Sequence, residues 1–307
     1  MAGPRYKWVI LAAQNRGLER FTVRTIDYID VLSATADLCG LDRDNLSLNE
    51  FKKLRTSHSN RLATAYEWYD WPDLMRAEQR YLRPLYSATI AYAVDDIIFY
   101  VAGDAYYKCI QANTGQAPTE AAYWTAVTRA DFDPYISPEQ TGQTVMGTVL
   151  GVFDKDPRRY ETLVELDWHP SSNGIQLTDN LTKAWVEFRL RAPELKGDAW
   201  VATKAYAVGD QVYFSDDSTP GNFYDCAAVT VADESPSSAS AKWTKVQIPY
   251  IFGRHLSQAG LADYLTSDQQ SERKVQEELF ATELITNQVT LIAGQQGHFR
   301  RVSVLTR

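Results

Sequence analysis

Residues 91–99 read AYAVDDIIF, and residues 205–213 read AYAVGDQVY. Each run is followed by a break and a second match, Tyr107-Lys108-Cys109 in the first copy and Tyr224-Asp225-Cys226 in the second. Pro118 corresponds to Pro236, and Trp124-Thr125-Ala126-Val127 to Trp243-Thr244-Lys245-Val246. The offset grows from 114 to 117 to 119, which places the insertions in connecting loops, where added length costs little. Agreement at a first strand, a second strand and a closing tryptophan marks an internal repeat. A unit of roughly 40 residues buries too little aliphatic surface to fold without large rings. Tyr92, Tyr107, Trp124, Tyr206, Tyr224 and Trp243 are therefore expected to form two small cores.

Upstream of the first copy the pattern is helical. Ile26, Ile29, Leu32, Ala36 and Cys39 recur at three- or four-residue spacing, and Gly40 supplies a stop. Ser47-Leu48-Asn49-Glu50 fits a capping box, in which the serine and glutamate satisfy each other's orphan amides. Phe51, Leu54, Arg55, His58, Leu62, Ala65 and Tyr69 continue with helical spacing until Trp71-Pro72, where the proline pushes its predecessor out of the α region. One further short helix is expected over 73–83. Between the copies, runs at 145–153, 162–168 and 184–190 are β-prone, with turns at 154–157 and 171–174. After the second copy, Leu256, Ala259, Ala262, Tyr264 and Leu265 make one apolar face, and residues 274–286 carry another. The fold class expected is α+β, a helical bundle built from both ends of the chain, with a small β-rich middle and two inserted antiparallel β-modules. The boundaries are 1–86, 87–130 (first module), 131–197 (middle), 198–247 (second module) and 248–307.

The formal net charge of −8 excludes a sequence-specific duplex binder, which needs basic surface to neutralise phosphates. It suits a wall past which DNA slides without sticking. The three cysteines form no CxxC pair and are odd in number, pointing to synthesis in a reducing cytoplasm rather than to a disulfide framework. Residues 8–13 are too short for a signal-peptide core, and no apolar run is long enough to span a membrane, so no membrane insertion is expected. His58, His169, His255 and His298 stand far apart, outside any metal-ligand spacing, and there is no phosphate-binding glycine loop or nucleophile elbow. His58, between Arg55 and Arg61, reads as a surface or interface residue. The pairs Asp95/Asp96, Asp154/Asp156 and Asp216/Asp217 fall in turns, where aspartate is a turn former before it is a glycosidase carboxylate. Neither an enzyme nor a cofactor is expected.

The repeated order, from Tyr92 through Asp96, Tyr107-Lys108-Cys109 and Gly115-Gln116-Ala117-Pro118 to Trp124, resembles the small carbohydrate-binding modules attached to bacterial chitinases. The second copy, with Gly209-Asp210, lies closer to that family's opening motif. The resemblance implies a tiny antiparallel sheet that packs some aromatics and displays others to sugar. Where the chitinase modules carry a tryptophan pair, this chain has Cys109-Ile110-Gln111 and Cys226-Ala227-Ala228. That leaves Tyr106, Tyr123 and Phe223 as candidates for stacking on host surface glycans.

The rest of the chain, through Arg61-Leu62-Ala63, Glu67-Trp68, Trp71-Pro72, Phe153-Asp154-Lys155-Asp156-Pro157 and Ile248-Pro249-Tyr250-Ile251-Phe252, resembles head–tail connector (adaptor) proteins of long-tailed bacteriophages. That resemblance implies a virion structural protein in the neck, made in the host cytoplasm. It implies a homo-oligomeric ring, a dodecamer, contacting the portal above and a tail or stopper protein below, with genomic DNA passing through. The last residues carry Arg300, Arg301 and Arg307 and no acid, a cationic tail suited to docking on the portal. The alternative is a carbohydrate-binding adhesin or tail-fibre component working through the modules. A cell-wall hydrolase would need a catalytic constellation that the sequence does not present.

Overall fold

A computed structural model of the chain describes residues 24–296 apart from 44, 141, 142, 161, 180, 268 and 269. The cationic tail lies outside the described residues. The architecture is mixed α+β. Its helices are α1 (Tyr28–Cys39), α2 (Leu48–Trp68), α3 (Gly253–Ser267) and α4 (Ser271–Gln296). The strands run from β1 (Thr25–Ile26) and β2 (Met75–Tyr81) into the first module, formed by β3 (Ala91–Tyr92), β4 (Ile97–Tyr100), β5 (Ala105–Cys109), β6 (Asn113–Thr114) and β7 (Trp124–Val127). The middle holds β8 (Tyr135–Ile136), β9 (Met146–Phe153), β10 (Trp168–Ser171), β11 (Gly174–Leu177) and β12 (Lys183–Leu190). The second module comprises β13 (Asp198–Ala199), β14 (Gln211–Phe214), β15 (Asn222–Cys226) and β16 (Trp243–Lys245), and β17 (Ile248–Pro249) pairs back with β1.

Local chemistry sets the helix ends as the sequence indicates. Gly40 adopts φ +70°, the left-handed cap that ends α1. At α2 both halves of the capping box form, Glu50 N–H to Ser47 Oγ at 3.2 Å and Ser47 N–H to Glu50 Oε2 at 2.9 Å. Ile26 lies outside the helical spacing assigned to it, because it pairs with Ile248 in the β1–β17 bridge.

The expected helix over 73–83 is a strand. Only Pro72–Leu74 makes a single 3₁₀ turn, and β2 then pairs antiparallel with β12 from Met75↔Arg189 to Tyr81↔Lys183. Met75-Arg76-Ala77-Glu78-Gln79-Arg80-Tyr81 favours a helix by propensity, and seven ladder pairs in a sheet override it. The outer edge of β2 is closed by side chains. Gln140 bonds both the N–H and the C=O of Tyr81, and Gln143 donates to the carbonyl of Gln79 at 3.0 Å. The run 162–168 is mostly irregular, touching β9 through the Phe153↔Glu165 bridge, and its strand starts only at Trp168.

α1, α2 and α4 all pack on α3, so the two ends of the chain close on one another. His58, expected at the surface, is fully buried at this junction. Its Nε2 lies 3.0 Å from Thr35 Oγ1 and its Nδ1 lies 3.1 Å from Tyr28 Oη. Thr35 has one hydroxyl proton, and it is given to the Val31 carbonyl at 2.8 Å. Nε2 therefore carries the imidazole proton and donates to Thr35, while bare Nδ1 accepts from Tyr28. Gly260 of α3 is what lets the helices approach: a Cβ there would sit 2.5 Å from His58 Nε2 and 2.9 Å from Thr35 Cγ2. Beside this contact, Arg61 of α2 bonds Asp263 of α3 and Glu278 of α4 with two nitrogens each, at 2.6–3.0 Å. Hydrogen bonds to Asp263 raise the guanidinium above its usual pKa, against the opposing effect of burial.

Burial lowers His58 to about 4 from an ordinary value of 6.5, partly offset by Asp263. The unfolded chain then takes up a proton near pH 6.5, before the native state can. Stability is complete above that value and falls until about pH 4, by roughly 3 kcal/mol in total. Denaturant titrations between pH 7 and pH 4 are expected to show this loss, and His58→Gln to remove its histidine-dependent part.

Candidate interaction surfaces

The repeat in sequence is a repeat in hydrogen bonds. In the first module Ala93 N–H donates to Asp96 Oδ2 at 2.7 Å, and in the second Ala207 N–H donates to Asp210 Oδ2 at 2.9 Å. Asp95 and Gly209 occupy the same turn position, with φ +76° and +91°; aspartate tolerates this geometry and glycine adopts it freely. Each closing tryptophan donates its indole N–H to a loop carbonyl, Trp124 to Gln116 at 3.0 Å and Trp243 to Glu234 at 3.2 Å. The central ring pair is the same edge-to-face contact, Tyr92–Trp124 at 5.1 Å and Tyr206–Trp243 at 5.4 Å. Cys109 and Cys226 are both buried beneath it.

Tyr106 and Phe223 do not form exposed platforms. They are 3% and 0% exposed and occupy one equivalent position, each opposite an aromatic neighbour across the sheet. Phe99 faces Tyr106 in the first module, and Tyr213 faces Phe223 in the second. These pairs fasten the modules to the body. Phe99 stacks on Tyr81 at 4.3 Å, and Tyr106 lies 4.8 Å from Phe132 while its hydroxyl accepts from Leu82 N–H and donates to the Thr182 carbonyl. Phe223 lies 4.7 Å from Tyr28, and Tyr213 lies 5.0 Å from Phe51. Strand alternation says which residues share a face, not which face meets the body, and here the face that carries Tyr106 and Phe223 is the one turned inward. Tyr123 is half-buried against its own module core, and its carbonyl accepts from Ile110 N–H at 2.8 Å.

The opposite face of each module, its core face, carries the expected Tyr107 and Tyr224 together with rings that sequence reasoning missed, Tyr86 and Tyr100 in the first copy and Trp200 and Phe214 in the second. Tyr86 meets Tyr100 at 5.8 Å and Tyr100 meets Tyr107 at 6.1 Å, all edge-to-face and half-buried. Their counterparts are Trp200–Phe214 at 5.6 Å and Phe214–Tyr224 at 6.4 Å. Tyr86 and Trp200 share the 114-residue offset that links Tyr92 to Tyr206, which is the signal that would have found them. They precede the matching strands and differ in ring type, so residue identity alone marks the repeat as starting after them.

The second module covers the body incompletely. Gln211, Asp225 and Thr244 form a cross-strand row beyond the docked rings. This row faces Arg76, Arg191 and Pro193 across a groove of about 680 Å³. Both charge signs line it, with Lys196 and Lys245 against Glu139 and Glu194, so it does not select for one ligand charge. The acidic pairs are spent on turns: Asp216 accepts from Ser218 and Thr219 amides, Asp154 from Val164, and Asp156 from Arg158. Bonds from Ser237 and Ser218 hold Asp216 at about 2. Among the described residues no group of three or more histidine, cysteine or acidic side chains is placed to hold a metal ion, and no helix is long and apolar enough to cross a membrane. Arg300, Arg301 and Arg307 lie outside the described residues. No family model and no curated protein matches the chain.

Truncating an anchor ring opens a cavity between module and body. Tyr106→Ala and Phe223→Ala are each expected to cost about 3–5 kcal/mol in denaturant unfolding. Val208→Ala, at a 63% exposed site, is expected to stay within about 0.5 kcal/mol.

Proposed function

We propose that the chain is a structural subunit of the head-to-tail connector of a tailed bacteriophage. In this reading a helical bundle assembles side by side into a ring, a dodecamer, between the portal and the tail or stopper protein. The genome passes through the ring without sequence-specific contact, and the two modules hang from the frame. One observation carries the reading besides the resemblance in sequence. Helices from both ends of the chain close around α3, tied by His58 and Arg61, while each module is attached through one sheet face by a cross-strand aromatic pair, with polar ties beside it such as Asn222 and Lys245 to Asp27 and Lys183 to Asp104. A rigid frame with appended decorations suits a subunit whose work is to hold its neighbours in register. The net charge of −8 agrees with a DNA passage that repels the phosphate backbone. The adhesin alternative keeps only Tyr123 of its three stacking residues, since Tyr106 and Phe223 are inside.

Native mass spectrometry and negative-stain microscopy of the full chain test this reading. The expected product is a closed ring with a central channel, and a portal ring added to the sample should bind one of its faces. A strictly monomeric chain that ignores the portal and adheres to polysaccharide beads would overturn it.

A further inference from the structure

We propose that α4 is an acid-released helix: protonation of His255 frees it from α3 while α1, α2 and α3 stay closed on one another. The inference stands apart from the ring reading, since it needs only one copy of the chain.

α3 is the central helix of the frame, and every residue from His255 to Ala262 is buried. The imidazole of His255 meets α4, with Nδ1 2.9 Å from the carbonyl oxygen of Ala281. A carbonyl only accepts, so Nδ1 carries the ring proton and Nε2 is bare. Nε2 is itself buried and has no hydrogen-bond partner. A second proton would have to enter at that atom, making a charged donor with nothing to receive it. His58 differs in having an oxygen at each of its two nitrogens.

The charged groups beside the ring do not supply the acceptor. From α2, Arg61 opposes a positive imidazole, and from α4, Glu278 favours one. Both oxygens of Glu278 are already held by Arg61 at 2.6 Å, and Asp263 of α3 is bound to the same guanidinium. Glu277 of α4 accepts from Gln258, one turn further along α3. Burial is the largest influence on His255 and holds it below its ordinary value of 6.5.

α4 is the element that can give way. Of its described residues only Ala281 and Ile285 are buried. Its departure breaks the His255–Ala281, Gln258–Glu277 and Arg61–Glu278 bonds. It leaves His58 with Tyr28 and Thr35, and Gly260 against them, untouched. A local opening that uncovers little apolar surface costs less than global unfolding, so His255 reaches water by this route first. Once in water the imidazole titrates at its ordinary value, above the value it has when closed. The open form therefore takes the proton first as the pH falls below 6.5. Opening grows from there until the lower closed-state value is reached, where the effect levels off.

Hydrogen exchange of the full chain between pH 7 and pH 5.5, with rates normalised to those of unstructured peptides, tests this release. Amides around Ala281 and Ile285 are expected to lose protection at least about threefold over that range, while those of α3 keep theirs. His255→Gln retains an amide donor for the Ala281 carbonyl and does not titrate, so its α4 protection should stay level. Level protection in the unchanged chain would overturn the proposal, and so would a loss that persists in His255→Gln. Equal losses in α3 and α4 would assign the acid response to the whole frame and remove the separate release. The imidazole proton resonances of the unchanged chain give a second reading that needs no variant. His255 is expected to titrate together with the loss of α4 protection, and a His255 that titrates beneath a fully protected α4 would end the idea.

Discussion

The frame depends on how closely α3 can approach α1 and α2, and one glycine sets that distance. Gly260 presents no side chain where His58 and Thr35 lie, so the imidazole fits between helices from opposite ends of the chain. The bonding around it is fully determined. One hydroxyl proton on Thr35, already committed to Val31, fixes the tautomer of His58 and hence the direction of the Tyr28 hydroxyl. Tyr28 in turn lies against Phe223, so the same hub receives the second module. A buried polar group is tolerated here because each of its partners is supplied.

The duplicated module shows how one small sheet is fitted to two unlike hosts. Its own core, a tyrosine against a tryptophan over a buried cysteine, is the same in both copies. The cross-strand pair on the other face varies: Phe99 with Tyr106 meets the three-stranded sheet of the middle, while Tyr213 with Phe223 meets the helices. The hydroxyl moves with the host. Tyr106 uses its phenol to satisfy the Leu82 amide and the Thr182 carbonyl, whereas Phe223, fully buried against the rings of Tyr28 and Tyr213, carries none.

Much of the fold was legible in the sequence wherever a local rule had a single reading. Gly40 and the Ser47–Glu50 box each fix a helix end by backbone chemistry alone, Trp71-Pro72 bounds α2 only from beyond, since the helix stops at Trp68 with Tyr69 already extended, and the repeat located both modules. The strand β2 was not legible, since its seven residues favour a helix and only the partner β12 decides otherwise. His58 could not be placed from its neighbours Arg55 and Arg61, because what decides the setting of each is a partner far off in sequence: Thr35 and Tyr28 for the imidazole, Asp198 for Arg55, and Asp263 with Glu278 for Arg61. Of the candidate stacking residues, Tyr106 and Phe223 were right in being special and wrong in orientation. Alternation along a strand leaves the choice of inner face to contacts that lie far off in sequence.

The glutamine side chains along β2 have an effect beyond local bonding. An amide group reproduces the donor and acceptor of a peptide unit, so Gln140 and Gln143 imitate an extra strand without providing one. On the far side of the same sheet, the amides of Asp154 and Leu166 tie β9 to the segment beside it. A foreign polypeptide seeking to lengthen this sheet would first have to evict those counterfeits. Crowded at high local density, as in any repetitive assembly, the chain is thereby guarded against runaway fibrillar stacking through its largest ladder.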